Sequence, residues 1–390
     1  MTGTLPLDRL VSEVLSPYRD SLQYLGATMQ QQPARTSNSS MRQFLLLSFF
    51  LAAGGAGFLL GKLGKSWLPS GASFNVLSLW DLLVLPLLML FVLAFHEAGH
   101  LVGGMSRGMR FLLFIVGPFA WSRGDTGIYF RWSFNLGTLG GLAAALPVSG
   151  QALKPQLIRL VLGGPLASLL LAVLAFVVFL CLPGRAGAYG LIVAGLSLAI
   201  FLVTALPMRS GGFMSDGMQY LQLSRNPAMV ERRVRLLALM GQGMAGIRPR
   251  DYDADLLAQA QLLSGDESLY DISVWLYRYL HAIDGGDVAA AAEWLDRIEA
   301  AFDDYPDGFR QSLAVELALY EALVRRRLDV AQAWMARAKG GVVDPSRRSL
   351  AEAAVASLEG RRDAALAALV VAQTKLGQSM DPGSTKLSSD

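Results

Sequence analysis

The chain has 390 residues, 53% of them hydrophobic and only 17% charged, against about 25% charged in soluble globular proteins. Residues 1–224 carry 14 Lys/Arg and 7 Asp/Glu, a net of +7, whereas residues 225–390 carry 20 Lys/Arg and 24 Asp/Glu, a net of −4. So uneven a distribution excludes a single soluble domain; the lack of a dense basic stripe speaks against nucleic acid as a partner, and a lone cysteine, Cys181, leaves no disulfide framework or multi-cysteine metal site.

Residues 1–43 are polar, Gln/Ser/Asn-rich from Met29 to Ser40, and lack an early apolar core, so a cytoplasmic extension is expected rather than a cleavable signal peptide. Phe44–Gly61 runs 18 residues without a charge, enough for a first span. A second span is expected at about 77–105, kinked at Pro86, its apolar pattern running into His96, Glu97 and His100. In the segment that follows, the runs Arg110–Phe119 and Thr126–Phe134 flank Ser122-Arg123-Gly124-Asp125 and predict a β-hairpin over 109–135. Leu136–Val148 is apolar and Gly-rich but too short to span, and reads as a re-entrant or interfacial piece. Third and fourth spans are expected at 158–182 and 187–208.

After Arg225 the chain becomes charged, Ala-rich and helical. Segments beginning at Gly286, Leu328 and Arg362 resemble one another, and their Asp287, Asp329 and Asp363 stand at a spacing that suits stacked helix pairs such as tetratricopeptide repeats; an irregular helical bundle is the alternative. This domain is expected over 225–375, with a disordered tail over 376–390. Short-loop Lys/Arg residues fall mainly before the first span (Arg9, Arg19, Arg35, Arg42) and after the second (Arg107, Arg110, Arg123, Arg131, Lys154, Arg159), which puts both termini in the cytoplasm. An Ala/Arg/Gly-rich chain without organelle targeting fits a bacterial inner membrane.

The pentad His96-Glu97-Ala98-Gly99-His100 carries the chemistry. Residues four apart on a helix share a face, so both imidazoles can approach one metal ion while Glu97 reaches a water beside it. Zinc suits such a set: a catalytic zinc keeps one open position and lowers the pKa of a water there to about 7, and a nearby carboxylate can take its proton. Counted from Leu82, the pentad lies roughly 21–27 Å along an apolar core about 30 Å thick. Ionisable groups at that depth are costly and mark function.

A third ligand is needed, and residues 43–224 contain four acids: Asp81, Glu97, Asp125 and Asp216. Asp81 reads as interfacial and Asp125 as a turn residue. Asp216, past the cytoplasmic end of the fourth span, is either the third ligand or the N-cap of a short helix from Met218.

These motifs resemble the site-2 protease family of intramembrane zinc metalloproteases, peptidase family M50. The resemblance covers about residues 77–223: the pentad in a membrane helix, Gly108-Met109-Arg110 and Gly117-Pro118 after it, Gly164-Pro165 opening a span, and Pro207 followed by Asp216-Gly217. It implies one zinc per chain held by His96, His100 and Asp216, with Glu97 as catalytic base and the hairpin guiding an extended substrate. The chain departs from the family in carrying Thr204 and Ser168 where Asn is common, and in a longer Pro207–Asp216 spacing that includes Gly211 and Gly212. Thr204 and Ser168 either donate to a developing oxyanion or satisfy helix carbonyls.

The expected molecule is an α-helical polytopic membrane protein with a small β insert after the pentad helix and a C-terminal all-α, TPR-like domain. Its expected function is endoproteolysis of a membrane-embedded protein near the cytoplasmic face, with membrane lipid around it and a protein partner for the helical domain. The rival readings are a catalytically inactive membrane scaffold of the same fold, suggested by the longer Pro207–Asp216 spacing, and a metal transporter. The transporter reading would need charges along a path through spans one, three and four, whose runs 44–61, 160–184 and 186–208 have none.

Overall fold

The computed structural model describes residues 81–386 except 82, 133–140, 148–152, 211–212 and 264–267. The expected extension 1–43 and first span 44–61 lie outside the described residues. Among the described residues, three helices are long and apolar enough to cross a membrane: α1 (Leu85–Met105), α2 (Leu153–Cys181) and α3 (Gly184–Ala205). Their outward surfaces carry exposed apolar side chains such as Leu87, Phe91, Leu170, Val173, Leu174 and Leu202, which suits lipid as the surrounding solvent and not water.

Two expectations for these helices are corrected. Pro86 falls in the first turn of α1 and not in its interior; its missing N–H has no helical partner to lose there, so no kink results. Gly164-Pro165 does not open a span but sits well inside α2, which begins at Leu153. The two helices run antiparallel and close: a β-carbon on Gly99 would overlap Gly163 O, and one on Gly103 would overlap Arg159 O. Glycine at the crossing lets the backbones approach, as in membrane helix pairs generally.

Between α1 and α2 lies an antiparallel sheet of β1 (Met109–Val116), β2 (Phe119–Arg123), β3 (Ile128–Trp132) and β4 (Leu142–Pro147), in the order β3-β2-β1-β4. The single long strand expected over Arg110–Phe119 is in fact two. Gly117, with φ +55, and Pro118 turn the chain, so that Val116 pairs with Phe119 and Ile115 with Ala120. The β2–β3 turn forms where the sequence indicates, with Arg123 paired to Ile128. The expected re-entrant piece within Leu136–Val148 is corrected too: Leu142–Pro147 is an edge strand paired to β1 from Ile115 to Met109. Ladder pairing meets the backbone polar groups on its β1 side, and the small Ala145 lies against α1 near Gly104.

The rest of the described chain is helical. After α3 come a two-strand turn of β5 (Arg209–Ser210) and β6 (Phe213–Met214), then α4 (Asp216–Arg225), α5 (Pro227–Met244) and α6 (Ala254–Leu262). These lead to α7 (Ser268–Asp284), α8 (Val288–Ala300), α9 (Arg310–Tyr320), α10 (Leu328–Arg337), α11 (Pro345–Leu358) and α12 (Arg362–Thr374). Consecutive helices pack as α7/α8, α9/α10 and α11/α12. Each of the three similar sequence segments starts the second helix of a pair: Asp287 caps α8 by accepting from Ala290 N, while Asp329 and Asp363 lie in the first turns of α10 and α12.

The helical region is docked on the sheet. Leu113, Ile115 and Ala120 share a buried cluster with Val342, against which Met240, Met244, Phe309 and Met380 also pack. Arg131 Nη1 donates to Val343 O at 2.9 Å, and Thr126 N to Gly377 O at 3.3 Å. The expected disordered tail is therefore corrected for residues 376–386. Asp381 caps α13 (Pro382–Thr385) by accepting from Ser384 N, Lys386 Nζ donates to Gly246 O, and Gly383 meets Ile247 O so closely that no β-carbon fits. Local capping and contacts with α5 and its C-terminal turn hold a segment whose composition looks unstructured.

Candidate metal centre and catalytic site

α1 carries His96 and His100 on one face, with Glu97 beside them; all three are buried, 4%, 9% and 8% exposed. Asp216 arrives from α4, and the reason it is free to do so lies one residue earlier. Ser215, not Asp216, is the N-cap: its Oγ accepts from Met218 N. The same hydroxyl accepts from Met208 N at 2.9 Å and donates to Leu206 O, and Ser215 N donates to Met208 O at 3.0 Å. These bonds tie the base of the β5–β6 pair together directly before Asp216, and so fix where the carboxylate enters. Gly217 fits against Ala205 O at the end of α3, where any side chain would collide.

The structure brings three of the expected site residues together. Asp216 Oδ2 lies 3.4 Å from His96 Nε2 and 3.5 Å from His100 Nε2, and the two Nε2 atoms are 3.2 Å apart. Among the described residues this is the one group of three His, Cys, Asp or Glu side chains with ligand atoms close enough to share a metal ion. The bond behind His100 bears on the fit. His100 Nδ1 lies 2.7 Å from Leu160 O; a carbonyl only accepts, so Nδ1 carries a proton, and in the neutral ring Nε2 turns a lone pair inward. A lone pair and a carboxylate oxygen facing each other in a buried space repel unless a cation lies between them. Two imidazole nitrogens and one carboxylate oxygen are a donor set that fits zinc and leaves a fourth position open.

Glu97 does not join the converging atoms. Its carboxylate lies against Gly141 at the entrance to β4: a β-carbon there would come 2.7 Å from Oε1. Ser168 is completely buried on α2, and its Oγ is 2.8 Å from His96 Nδ1, behind the ring. Thr204 Oγ1 points to Phe201 O in its own helix at 3.5 Å. Asp81 is buried and accepts from Tyr189 OH, away from the metal ligands.

Several supporting residues escape sequence reasoning: Leu160, which acts through its carbonyl; Gly164, whose lack of a side chain makes room for His100; Gly141; and Ser197, which donates to Ser168 O at 2.8 Å. A buried serine in an apolar helix is a readable signal. A backbone carbonyl is not.

No curated relative and no solved structure matches the chain. The model of "Peptidase family M50" does match, over residues 84–378. That stretch takes in the pentad helix, the sheet, the Asp216 turn and nearly all of the docked helical region, which is most of the chain, so the chain belongs to the site-2 protease family, peptidase family M50.

Proposed function

We propose that the protein is an intramembrane zinc metalloendopeptidase that hydrolyses a peptide bond of a membrane-embedded protein near the cytoplasmic face. The observation that carries this reading is the convergence of His96, His100 and Asp216 on a buried point flanked by apolar helices of spanning length. When bound, zinc supplies a Lewis acid that polarises a carbonyl and acidifies a water. His96, His100 and Asp216 would hold it. Glu97 takes the proton from the attacking water and delivers it to the leaving nitrogen, and burial keeps bulk water from competing.

The sheet supports a way of presenting substrate. β4 is an edge strand, and the chain enters it at Gly141, against Glu97. An unwound substrate segment brings unpaired backbone groups, and adding it to that edge both satisfies them and lays its backbone beside the base. The helical domain, built of successive pairs in the manner of tetratricopeptide repeats, would bind a protein partner or a substrate tail. The Lys/Arg distribution and the composition support a bacterial inner membrane protein with both termini on the cytoplasmic side. The scaffold alternative draws its motive from the longer Pro207–Asp216 spacing; against it, Ser215 bonds back to Met208 and Asp216 still reaches both histidines.

The test is to purify the protein, measure bound zinc, and compare wild type with Glu97→Gln for cleavage of a co-expressed transmembrane substrate. Zinc in both and product only from wild type is the expected result; equal product from both overturns the protease reading. Unchanged zinc in Asp216→Ala removes that ligand, and an external position for a reporter fused at residue 390 overturns the orientation.

A further inference from the structure

The two histidines are backed by unlike partners. His100 Nδ1 faces the Leu160 carbonyl, which can only accept, so its tautomer is settled. His96 Nδ1 faces the hydroxyl of Ser168 at 2.8 Å, and a hydroxyl can either donate or accept. Were Ser168 to donate, the His96 proton would move to Nε2, which lies 3.2 Å from His100 Nε2 and 3.4 Å from Asp216 Oδ2, and the lone pair needed by a metal would be lost. Ser168 is 0% exposed, so no bulk water can take over its role. It is also held from a third helix: Ser197 of α3, likewise 0% exposed, donates to Ser168 O at 2.8 Å. Leu160, Gly164 and Ser168 fall one helical turn apart on α2. They form a single face that meets the two imidazoles with a carbonyl, a bare glycine packed against the His100 ring, and a hydroxyl.

We infer that Ser168, tied to α3 through Ser197, is the positioning residue of the metal centre, holding His96 in the tautomer that turns its Nε2 lone pair toward the ion. Ser168 accepts from His96 Nδ1–H, and its own proton is free to turn back toward the preceding turn of α2, a bond common for serine in apolar helices. The hydroxyl lies behind the ring, where it acts on the ligand and not on a substrate oxyanion. The inference rests on the zinc-site reading above, and the experiment separates the two.

The full-length protein in detergent is stripped of metal and titrated with zinc against a chelator of known affinity, for wild type, Ser168→Ala, Ser168→Thr and Ser197→Ala. Loss of the partner behind a ligating histidine weakens metal binding roughly 10- to 100-fold. That loss is expected for Ser168→Ala, with recovery in Ser168→Thr, which keeps the hydroxyl, and a smaller loss for Ser197→Ala. Independently of any variant, nitrogen NMR of histidine-labelled, metal-free wild type should show His96 protonated on Nδ1. A wild type that binds no zinc defeats the metal-site reading. A wild type that binds zinc while Ser168→Ala binds it equally well, or a His96 proton found on Nε2, overturns the role given to Ser168.

Discussion

Gly164 on α2 lies directly against the imidazole of His100 on α1, so that a β-carbon at position 164 would come within 2.3 Å of Nε2. The metal-facing edge of the ring thus owes its place to an absent side chain. Gly164→Ala should push His100 out of line and lower zinc content and cleavage together, activity by at least 100-fold. Gly195→Ala, at a site on α3 with nothing within 4 Å, is the matched control and should leave both unchanged. Metal analysis of the two purified variants checks this.

Gly141 has φ +95, and its position abuts the Glu97 carboxylate. Alanine there is strained by its backbone and crowds the base without reaching the metal ligands. Gly141→Ala is expected to keep its zinc and lose activity by 10- to 100-fold, in the pattern of a damaged general base. Loss of zinc in step with activity would count against this division of roles.

Arg131 joins β3 to the helical domain through Val343 O. A hydrogen bond from a charged donor contributes about 1.5–3 kcal/mol. Arg131→Ala should therefore speed hydrogen exchange around residues 342–344, while exchange within the α9/α10 pair is unchanged. A uniform increase would mean that the domain had unfolded rather than loosened from the sheet.

Asp381 is held at a pKa of about 6, raised from 3.8 chiefly by burial, with the hydrogen bond from Ser384 N opposing the shift and Asp344 adding to it. Between about pH 4 and 6 the folded segment binds a proton that the unfolded one has lost, so stability falls as pH rises through that window and then levels off. Exchange in residues 380–386 should thus be slower at pH 4 than at pH 7 once corrected for intrinsic rates. Asp381→Asn, which keeps the capping oxygen, should abolish the difference by slowing exchange at pH 7.

Much of the site can be read from the chain because its signals are local. His96 and His100 are four apart in an apolar run, Glu97 sits between them, and few other acids occur before residue 225. Helical spacing and the cost of charge in hydrocarbon suffice for these. The sheet was only half legible. The turn at Gly124 is marked by composition, but β4 looks like any short apolar run, and its identity comes from pairing with β1. The ordered segment 376–386 shows the same limit, since its composition suggests a tail and its contacts with α5 make it structure.

By itself the sequence determined the membrane character of the first half, the pentad and its chemistry, and the helical character of the second half, because periodicity and charge are properties of neighbouring residues. Only the tertiary structure decided that Ser215 does the capping and leaves Asp216 to the histidines, that Ser168 and the Leu160 carbonyl stand behind the two rings, and that the helical domain rests on the sheet. Those choices depend on which groups meet across separate helices. A buried hydroxyl, carboxylate or carbonyl takes its role from the partner it finds, and the partner of His96 lies 72 residues away.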